Sequence, residues 1–329
     1  MEFERVTVVG VNGLGAALAM ALKAQDQPPR VIGAVDQADQ LKSVRALDVF
    51  DRLVREPADA CAEADLVILN RPLDALAEAM DEIAPHLPAG CVVTDTAPLK
   101  APVMAWAADK LPEAIVFIGG HPIPHPDVGF RWPEAPEKAT AELVASALYC
   151  LTPQPNVPEE TLMLFLSLIE AIGAAPFVID VTEHDGLMAG AAGVLDLLAV
   201  AVVRSSVDVP GWQELRKFLG HRFAAVSHPA ADASERSSAV LLNREMIVQR
   251  MNVLLGELVR LRDLLATEDA ERLEEAFAEA EAGRERWLAE RAAGLWEKRR
   301  VSVGNIPSPG ERLSQLLFGG LLGSSKQKE

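Results

Sequence analysis

The stretch VTVVGVNGLGAALAMALK, residues 6–23, decides how the first half of the chain folds. It opens with a β-branched run at 6–9, typical of a strand, and closes with strong helix formers at 16–23. Glycines occupy the bend between them. A strand that turns into a helix in this way exposes the N–H groups of the helix N-terminus, where an anion can bind. The stretch therefore predicts the first strand–turn–helix unit of an α/β sheet.

The glycine spacing is close to the fingerprint of a dinucleotide-binding turn. Gly10 and Gly15 take its first and third glycine positions. The second position falls on Asn12, and a glycine stands beside it at Gly13. We interpret the turn as a variant of the fingerprint, with Gly10, Asn12, Gly13, Leu14 and Gly15 as cofactor-binding residues. A plain tight loop is the alternative.

A carboxylate at the end of the predicted second strand, 31–36, indicates which dinucleotide is bound. Asp36 can accept hydrogen bonds from the ribose hydroxyls of NAD, and it would repel the additional phosphate of NADP. We therefore predict NAD as the cofactor, with NADP less favoured. A solvated carboxylate at a strand end is the alternative for Asp36.

Strands and helices alternate through the rest of this half. Apolar runs predict strands at 66–69, 91–95 and 114–118, with a helix at 73–87. This order predicts a Rossmann-like, doubly wound, mainly parallel sheet. Polar residues follow two of the strands and are expected beside the cofactor, at the carboxyl edge of the sheet. These candidates are Asn70, Arg71, Pro72 and Thr96.

The second half is predicted to be helical. A helix is expected at 161–173 and one last short strand at 176–180, and nearly everything after residue 182 has helical character. We predict a dinucleotide-binding domain at 1–181, a helical substrate and dimerisation domain at 182–297, and a C-terminal arm at 298–329. An apolar seam favours a homodimer through the helical domain, although the seam could also pack within one chain. It consists of Ile247, Met251, Leu254, Leu258, Leu261 and Leu265.

Composition excludes several classes of partner. The 329 residues include 48 acidic and 31 basic side chains, for a formal charge of −17, so nucleic acid is not expected to bind. Three widely spaced cysteines favour neither a disulfide framework nor a zinc site, and no metal is predicted. The N-terminus lacks the pattern of a signal peptide, which predicts a cytoplasmic protein. The apolar segment 186–203 is interrupted by Asp196, so a buried helix is expected there rather than a membrane span.

With these residues placed, the sequence resembles the prephenate/arogenate dehydrogenase family over roughly residues 6–288. The resemblance depends on the order and spacing of short segments rather than on any one of them. After the glycine turn, these segments are Ala64-Asp65-Leu66-Val67-Ile68-Leu69 with Pro72-Leu73, Val93-Thr94-Asp95 to Lys100, Gly119-Gly120-His121-Pro122, Leu151-Thr152-Pro153, Glu183-His184-Asp185 and Asn243-Arg244-Glu245.

The resemblance implies a reaction and a catalytic residue. Members of this family oxidise the ring alcohol of prephenate or arogenate by hydride transfer to a nicotinamide, with loss of CO2, on the path to tyrosine. His121 matches the catalytic histidine in the Gly-Gly-His-Pro segment. An imidazole suits this role because it can accept a hydroxyl proton near neutral pH.

The sequence departs from the family where substrate is expected to bind. A serine that assists the histidine in the family falls on Pro98, which has neither a hydroxyl nor an N–H. A segment that supplies a further substrate-site histidine falls on residues 192–196, which contain none. Arg222 is the candidate for binding the substrate carboxylate, although its alignment requires an insertion. His125 replaces a lost donor or is simply solvated.

Three hypotheses remain open from the sequence. The chain is a dehydrogenase of the prephenate/arogenate type with rebuilt substrate contacts, a relative that oxidises another cyclic or hydroxy-acid substrate, or an NAD-binding protein without turnover. Retention of His121 beside a predicted cofactor site favours chemistry.

Overall fold

The computed structural model describes residues 3–35, 40–125, 132–145, 147–228 and 233–293. In this part of the chain, eight strands form one sheet in the order β3-β2-β1-β4-β5-β6-β7-β8. The strands are β1 (Arg5–Val9), β2 (Arg30–Ala34), β3 (Arg52–Val54), β4 (Leu66–Leu69), β5 (Val92–Asp95), β6 (Val116–Ile123), β7 (Leu148–Pro153) and β8 (Ala175–Val178).

The sheet is parallel from β3 to β6. Strand β7 runs antiparallel to β6, and β8 runs parallel to β7. This topology confirms the predicted Rossmann-like, mainly parallel sheet. Two strands, β3 and β7, were not predicted from the sequence. The Gly-Gly-His-Pro segment lies inside β6 rather than beyond its end, because pairing with β7 extends that strand to Ile123.

Helices cover both faces of the sheet. On one face, α1 (Gly13–Lys23) and α6 (Glu159–Ala171) pack in a cluster with the buried residues of β1. On the other face lie α3 (Pro57–Cys61), α4 (Leu76–Ile83) and α5 (Ala101–Lys110). The short α2 (Gln40–Ala46) precedes β3. Because both faces are covered, every residue of β4 is buried, as its continuous apolar run requires.

The second half is helical, as predicted. Its helices are α7 (Val181–Met188), α8 (Val194–Ser206), α9 (Trp212–Leu215), α10 (His221–Val226), α11 (Ala233–Leu242), α12 (Arg244–Ala266) and α13 (Ala270–Ala292). A π-helical segment, Ala189–Gly193, joins α7 to α8. The predicted seam lies on α12, where Ile247 is buried against Val194 and Ala189, whereas Leu258 and Leu265 are exposed.

The domain boundaries remain predictions. The last strand ends at Val178 and α7 begins at Val181, where the composition of the sequence also changes. The described residues all belong to one compact unit, Met1–Trp296. The predicted arm at 298–329 lies outside the described residues.

One helical stretch, Val181–Ser206, is long and apolar enough to cross a membrane by length and composition alone. Core helices of proteins outside membranes pass the same test. Within one chain, 22% of its most apolar window is buried.

Candidate active site

The predicted cofactor turn lies at the carboxyl end of β1, where the strand order reverses. Strand β1 pairs with β2 on one side and with β4 on the other. Ligands of doubly wound sheets bind in the crevice that opens at such a switch point. Gly10 follows β1, Asn70 follows β4 and Thr96 follows β5, so three of the predicted residues meet at this edge.

Gly10 must be glycine in this turn. Its φ of +92° lies in the left-handed region, and a Cβ there would come within 2.2 Å of the carbonyl oxygen of Asn70. The side chain of Asn70 holds the turn in place, because its Nδ2 donates to the carbonyl oxygen of Gly10 at 2.7 Å. The hydroxyl of Thr96 donates to Oδ1 of Asn70 at 2.9 Å. The turn is therefore fixed by the residues that end the two neighbouring strands.

Asn12 caps the first helix. Its Oδ1 accepts the N–H groups of Leu14 at 3.0 Å and Gly15 at 3.2 Å, and it also accepts Nδ2 of Asn70 at 2.7 Å. A side-chain oxygen in this position satisfies N–H groups that would otherwise lack a partner at the helix N-terminus. Two of the amides expected to meet a pyrophosphate are therefore bonded to a neutral side chain.

Gly13 accommodates a neighbouring segment. Its N–H donates to the carbonyl oxygen of Glu134 at 3.2 Å, and a Cβ at this position would lie 1.9 Å from the carbonyl oxygen of Pro133. Trp132 in the same segment donates from its indole N–H to the carbonyl oxygen of Pro122 in β6. Residues 132–134 therefore connect the end of β6 to the glycine turn.

The turn fits a dinucleotide. Gly15 leaves room for close packing, since a Cβ there would lie 2.3 Å from the carbonyl oxygen of Gly10. The amides of Leu14 and Gly15 point at one acceptor, Oδ1 of the exposed Asn12. A phosphate oxygen carries negative charge and is a stronger acceptor for the same amides. Rotation of the Asn12 side chain would release them.

His121 lies in β6 beside a buried ion pair. The amine of Lys100 donates to a carboxylate oxygen of Asp95 and, at 2.6 Å, to the carbonyl oxygen of Gly120. The other oxygen of Asp95 accepts the N–H of Gly120 at 3.0 Å. A Cβ at Gly120 would lie 2.5 Å from the carbonyl oxygen of Asp95, so only glycine permits this approach. Both the N–H and the carbonyl of Gly120, the residue before His121, are therefore held by hydrogen bonds to the buried ion pair.

Burial and charge keep the ring of His121 neutral. Desolvation lowers the pKa of His121 well below 6.5, and His184 and Lys100 lower it further by Coulomb repulsion. Desolvation likewise lowers the pKa of Lys100, against the opposing effect of Asp95. A neutral imidazole on a partly exposed residue has a lone pair available to accept a proton.

Two residues of α7 complete the surroundings of His121. Nδ1 of His121 lies 3.0 Å from Nε2 of His184, and Nδ1 of His184 lies 2.8 Å from Oδ1 of Asp185. Asp185 also accepts the N–H groups of Lys100 and Ala101, each at 2.8 Å. Helix α7 is thereby tied both to the N-terminus of α5 and to the candidate base.

The remaining predicted residues that the structure describes are partly or fully exposed. Arg71 is partly exposed and Pro72 is exposed at the end of β4. His125 is partly exposed, two residues beyond β6. Arg222 is exposed on α10, a short helix that contacts α8. Asp36 lies outside the described residues, so its predicted ribose contact stays a prediction, as do the roles of the others.

Substrate-side residues differ from the expected ones. Pro98, in the loop between β5 and α5, is partly exposed. Asp196 occupies the last position of the segment aligned with a family histidine, and its Oδ1 accepts Nε of Arg236 at 2.9 Å. The side chains of this pair are only 17% and 19% exposed, so it is better shielded than most of the ion pairs described. Arg236, rather than Arg222, is therefore the arginine closely coupled to this segment.

Sequence reasoning assigned no role to several residues of this centre. Lys100, Asp95, His184 and Asp185 belong to segments that carried the family resemblance, and that resemblance was the only signal for them. Arg236 lies outside those segments and gave no signal. Among the described residues, no group of three or more His, Cys, Asp or Glu side chains could hold a metal ion.

Comparisons with known proteins agree with this geometry. The model of the family described as "Prephenate dehydrogenase, nucleotide-binding domain" matches residues 18–178, which begin just after the glycine turn. A cyclohexadienyl dehydrogenase from Zymomonas mobilis is 24% identical over 291 residues, covering 86% of this chain and 95% of that protein. A prephenate dehydrogenase from Bacillus subtilis is 23% identical over 280 residues, covering 84% of this chain and 74% of that protein.

Solved structures share the fold. A prephenate dehydrogenase from Aquifex aeolicus, in complex with hydroxyphenyl propionate and NAD+, superimposes with a TM-score of 0.77. It is 21% identical in sequence, and the match covers 87% of this chain and 99% of that one. The likeness therefore extends beyond the nucleotide-binding sheet into the helical half.

Proposed function

Because the chain belongs to the prephenate/arogenate dehydrogenase family, we propose that it catalyses the NAD-dependent oxidative decarboxylation of prephenate or arogenate in tyrosine biosynthesis. The relatives' names, cyclohexadienyl and prephenate dehydrogenase, support both the reaction and the substrate class. The described fold supports NAD as the cofactor, since its glycine turn lies at the switch point of the sheet.

Bound NAD would supply the hydride acceptor, and the protein supplies position and a base. The amides of Leu14 and Gly15 would hold the pyrophosphate once Asn12 has moved aside. Asn70 and Thr96 fix the turn against the neighbouring strands. His121 would accept the proton of the ring hydroxyl, so that the carbon–oxygen double bond can form as the hydride departs. Aromatisation then favours loss of the ring carboxylate as CO2.

One observation carries the proposal. His121 is a partly exposed residue whose pKa is held well below 6.5, in a strand whose backbone is held by hydrogen bonds to Lys100 and Asp95. A histidine with only a structural role in the core would not need to be partly exposed. A surface histidine, conversely, would not be held neutral by burial and by two neighbouring basic groups.

The proposal is tested by following NADH absorbance with prephenate, arogenate and a panel of small hydroxy acids. We expect NADH to form with prephenate or arogenate, together with release of CO2. NADH formation with a hydroxy acid alone would replace the proposed substrate with another one. Tight NAD binding with no turnover of any substrate would indicate a binding protein and contradict the proposed reaction.

We also propose a homodimer that assembles through the helical half. Large apolar side chains are exposed on α8, α11 and α12, and the exposed fraction reaches 70% at Val253. Exposed apolar surface of this extent in one chain is typical of an interface. Light scattering should give twice the monomer mass, and Val253→Asp should shift it toward the monomer. The exposed apolar residues of α8, α11 and α12 include Leu195, Val200, Leu241, Val253, Leu255, Leu258 and Leu265.

A cytoplasmic location fits the chemistry of the cysteines. Cys61, Cys91 and Cys150 are buried and free. Burial raises the pKa of Cys61 and Cys91 to about 12, so both remain thiols at neutral pH. Fractionation of cells that express the chain would test this location. Recovery in a membrane fraction would instead support a membrane role for Val181–Ser206.

A further inference from the structure

Three side chains form a continuous chain that ends at the candidate base. It begins at the N-terminus of α5, where the N–H of Lys100 reaches Oδ1 of Asp185 and the N–H of Ala101 reaches Oδ2, each at 2.8 Å. It continues from Oδ1 of Asp185 to Nδ1 of His184 at 2.8 Å. It ends with Nε2 of His184, 3.0 Å from Nδ1 of His121.

The first link fixes the proton positions of the others. Asp185 accepts two backbone N–H groups at a helix N-terminus, one on each carboxylate oxygen. A carboxylate has no proton to give, so His184 donates to it from Nδ1. In its neutral form His184 has only this one N–H, and its Nε2 is then an acceptor. Nδ1 of His121 must then donate to it.

The consequence for His121 is a single tautomer. With its proton on Nδ1, the ring has a free lone pair on Nε2, which is the nitrogen that points away from His184. His184 and Asp185 are only 2% and 4% exposed, so water does not compete for these hydrogen bonds. Of the three residues, His121 is the one that is partly exposed.

The charged and titratable groups around the ring come from each neighbouring element. They are Lys100 and Asp95 at the end of β5 and the start of α5, His184 and Asp185 on α7, and Cys150 on β7, which pairs with His121 in the sheet. His125 follows β6 on the same stretch of chain. The Lys100 charge is balanced by Asp95, whereas Asp185 is the carboxylate that reaches His121 through a second ring.

We propose that His184 and Asp185 are positioning residues that hold His121 with Nε2 unprotonated and stabilise its imidazolium once it has taken a proton. In the reaction, the substrate O–H bond would break and its proton bond to Nε2 of His121, while the carbon-bound hydrogen would leave with its bonding electron pair as the hydride that bound NAD accepts. The product carbonyl keeps the oxygen electron pair. The identity of the proton donor rests on the proposed function, but the tautomer of His121 does not.

This arrangement bears on a departure in the sequence. The family serine that assists the histidine is absent here, because its position is Pro98. The chain through His184 approaches His121 from the other nitrogen, Nδ1, and orients the ring from within the fold. Orientation of the base therefore does not depend on a hydroxyl in the loop after β5.

The tautomer can be measured without substrate. Long-range proton–nitrogen spectra of the whole protein labelled with 15N-histidine show which ring nitrogen carries the proton, and His121→Asn identifies the signal of His121. We expect Nδ1 of His121 to be protonated and Nε2 unprotonated at neutral pH. A His121 ring protonated on Nε2 in the wild-type protein would overturn the proposal.

Kinetics test the same link by substitution. His184→Leu removes the acceptor, so kcat should fall at least on the order of tenfold, with KM for substrate and NAD little changed. His184→Gln can place an amide oxygen where Nε2 was, and it should recover much of kcat and keep Nδ1 of His121 protonated. His86→Leu, at an exposed histidine, is the matched control and should leave kcat unchanged.

The outcomes separate this proposal from the proposed function. If no substrate turns over but His121 shows the Nδ1–H tautomer, only the reaction is wrong. If turnover occurs and His184→Leu leaves both kcat and the His121 spectrum unchanged, the positioning role is wrong. Should His184→Leu fail to fold, the wild-type spectrum and His184→Gln still decide the case.

Discussion

The centre around His121 and the helical half that would face the substrate are held together in different ways. Beside His121, a fully buried lysine, two carboxylates and a second histidine bond to one another and to the backbone. In the helical half, the ion pair Asp196–Arg236 is partly shielded, and many large apolar side chains are exposed. The buried network therefore fixes His121 within one chain. The helical half, by contrast, is held by a partly shielded ion pair and presents apolar side chains that substitution can change more easily.

The difference indicates that substitutions in the helical half could change the substrate without removing the base His121. Substitutions on α8 or α11 alter groups that do not belong to the hydrogen-bonded chain ending at His121. Of the departures from the family, Asp196 lies on α8, whereas Pro98 lies in the loop between β5 and α5.

The largest effect on stability is expected from Lys100→Met. It removes the buried cation and leaves Asp95 as an uncompensated charge, which costs about 3–5 kcal/mol of unfolding free energy. Lys110→Met is the matched control, since Lys110 pairs with the exposed Asp81 and its loss costs about 0–1 kcal/mol. Urea denaturation measures both. Equal and small losses of unfolding free energy in the two variants would show that the Lys100–Asp95 pair does not stabilise the surroundings of His121.

A smaller loss is expected from the helical half. Arg236→Met breaks a partly shielded charged hydrogen bond to Asp196 and should cost about 1–2 kcal/mol. Arg260→Met, which breaks a solvent-exposed pair with Glu257 on α12, should leave the unfolding free energy nearly unchanged. If Arg236→Met cost as much as Lys100→Met, the two regions would not differ as described.

The pH dependence should reflect the neutral base. Because burial, His184 and Lys100 lower the pKa of His121, its ring stays neutral as the pH falls from neutrality to 6.5. We expect kcat/KM to stay level over that interval and to fall only at lower pH, where the ring becomes protonated. A decline centred at or above pH 6.5 would show that His121 is not the base that limits the rate.

The smallest effect is expected from Asn12→Gly. This change restores the second fingerprint glycine and removes the side chain that bonds the amides of Leu14 and Gly15. A glycine cap costs only a few tenths of a kcal/mol in helix stability, so we expect NAD to bind about twofold more tightly. Titration calorimetry measures the change. Weaker binding would mean that Asn12 itself contacts the cofactor.

The central strands could be predicted from sequence because their side chains are uniformly apolar. The run at Leu66–Leu69 became β4 with the predicted bounds, and the glycine turn led into α1. Strand β3 has three residues, too few to show a pattern. Strand β7 mixes polar and apolar residues and ends in a proline, so its pairing with β6 gives no local signal.

The candidate base could be predicted, but its surroundings could not. His184 and Asp185 follow Glu183 in a charged triplet that looks like the solvated face of a helix. Their burial depends on a contact between residues 63 positions apart in the chain. Arg236 reaches Asp196 across 40 positions. Such contacts are set by the packing of whole elements, which periodicity in one segment does not report.

The most direct test of the account compares His121→Asn with His86→Asn in the assay for NADH formation, with NAD affinity measured by calorimetry for each. His86 is an exposed histidine and serves as the control. We predict that His121→Asn lowers kcat/KM by about 10²–10⁴-fold while its affinity for NAD equals that of the control. Turnover by His121→Asn at the rate of the control would contradict the account, as would failure of the wild-type protein to bind either NAD or NADP.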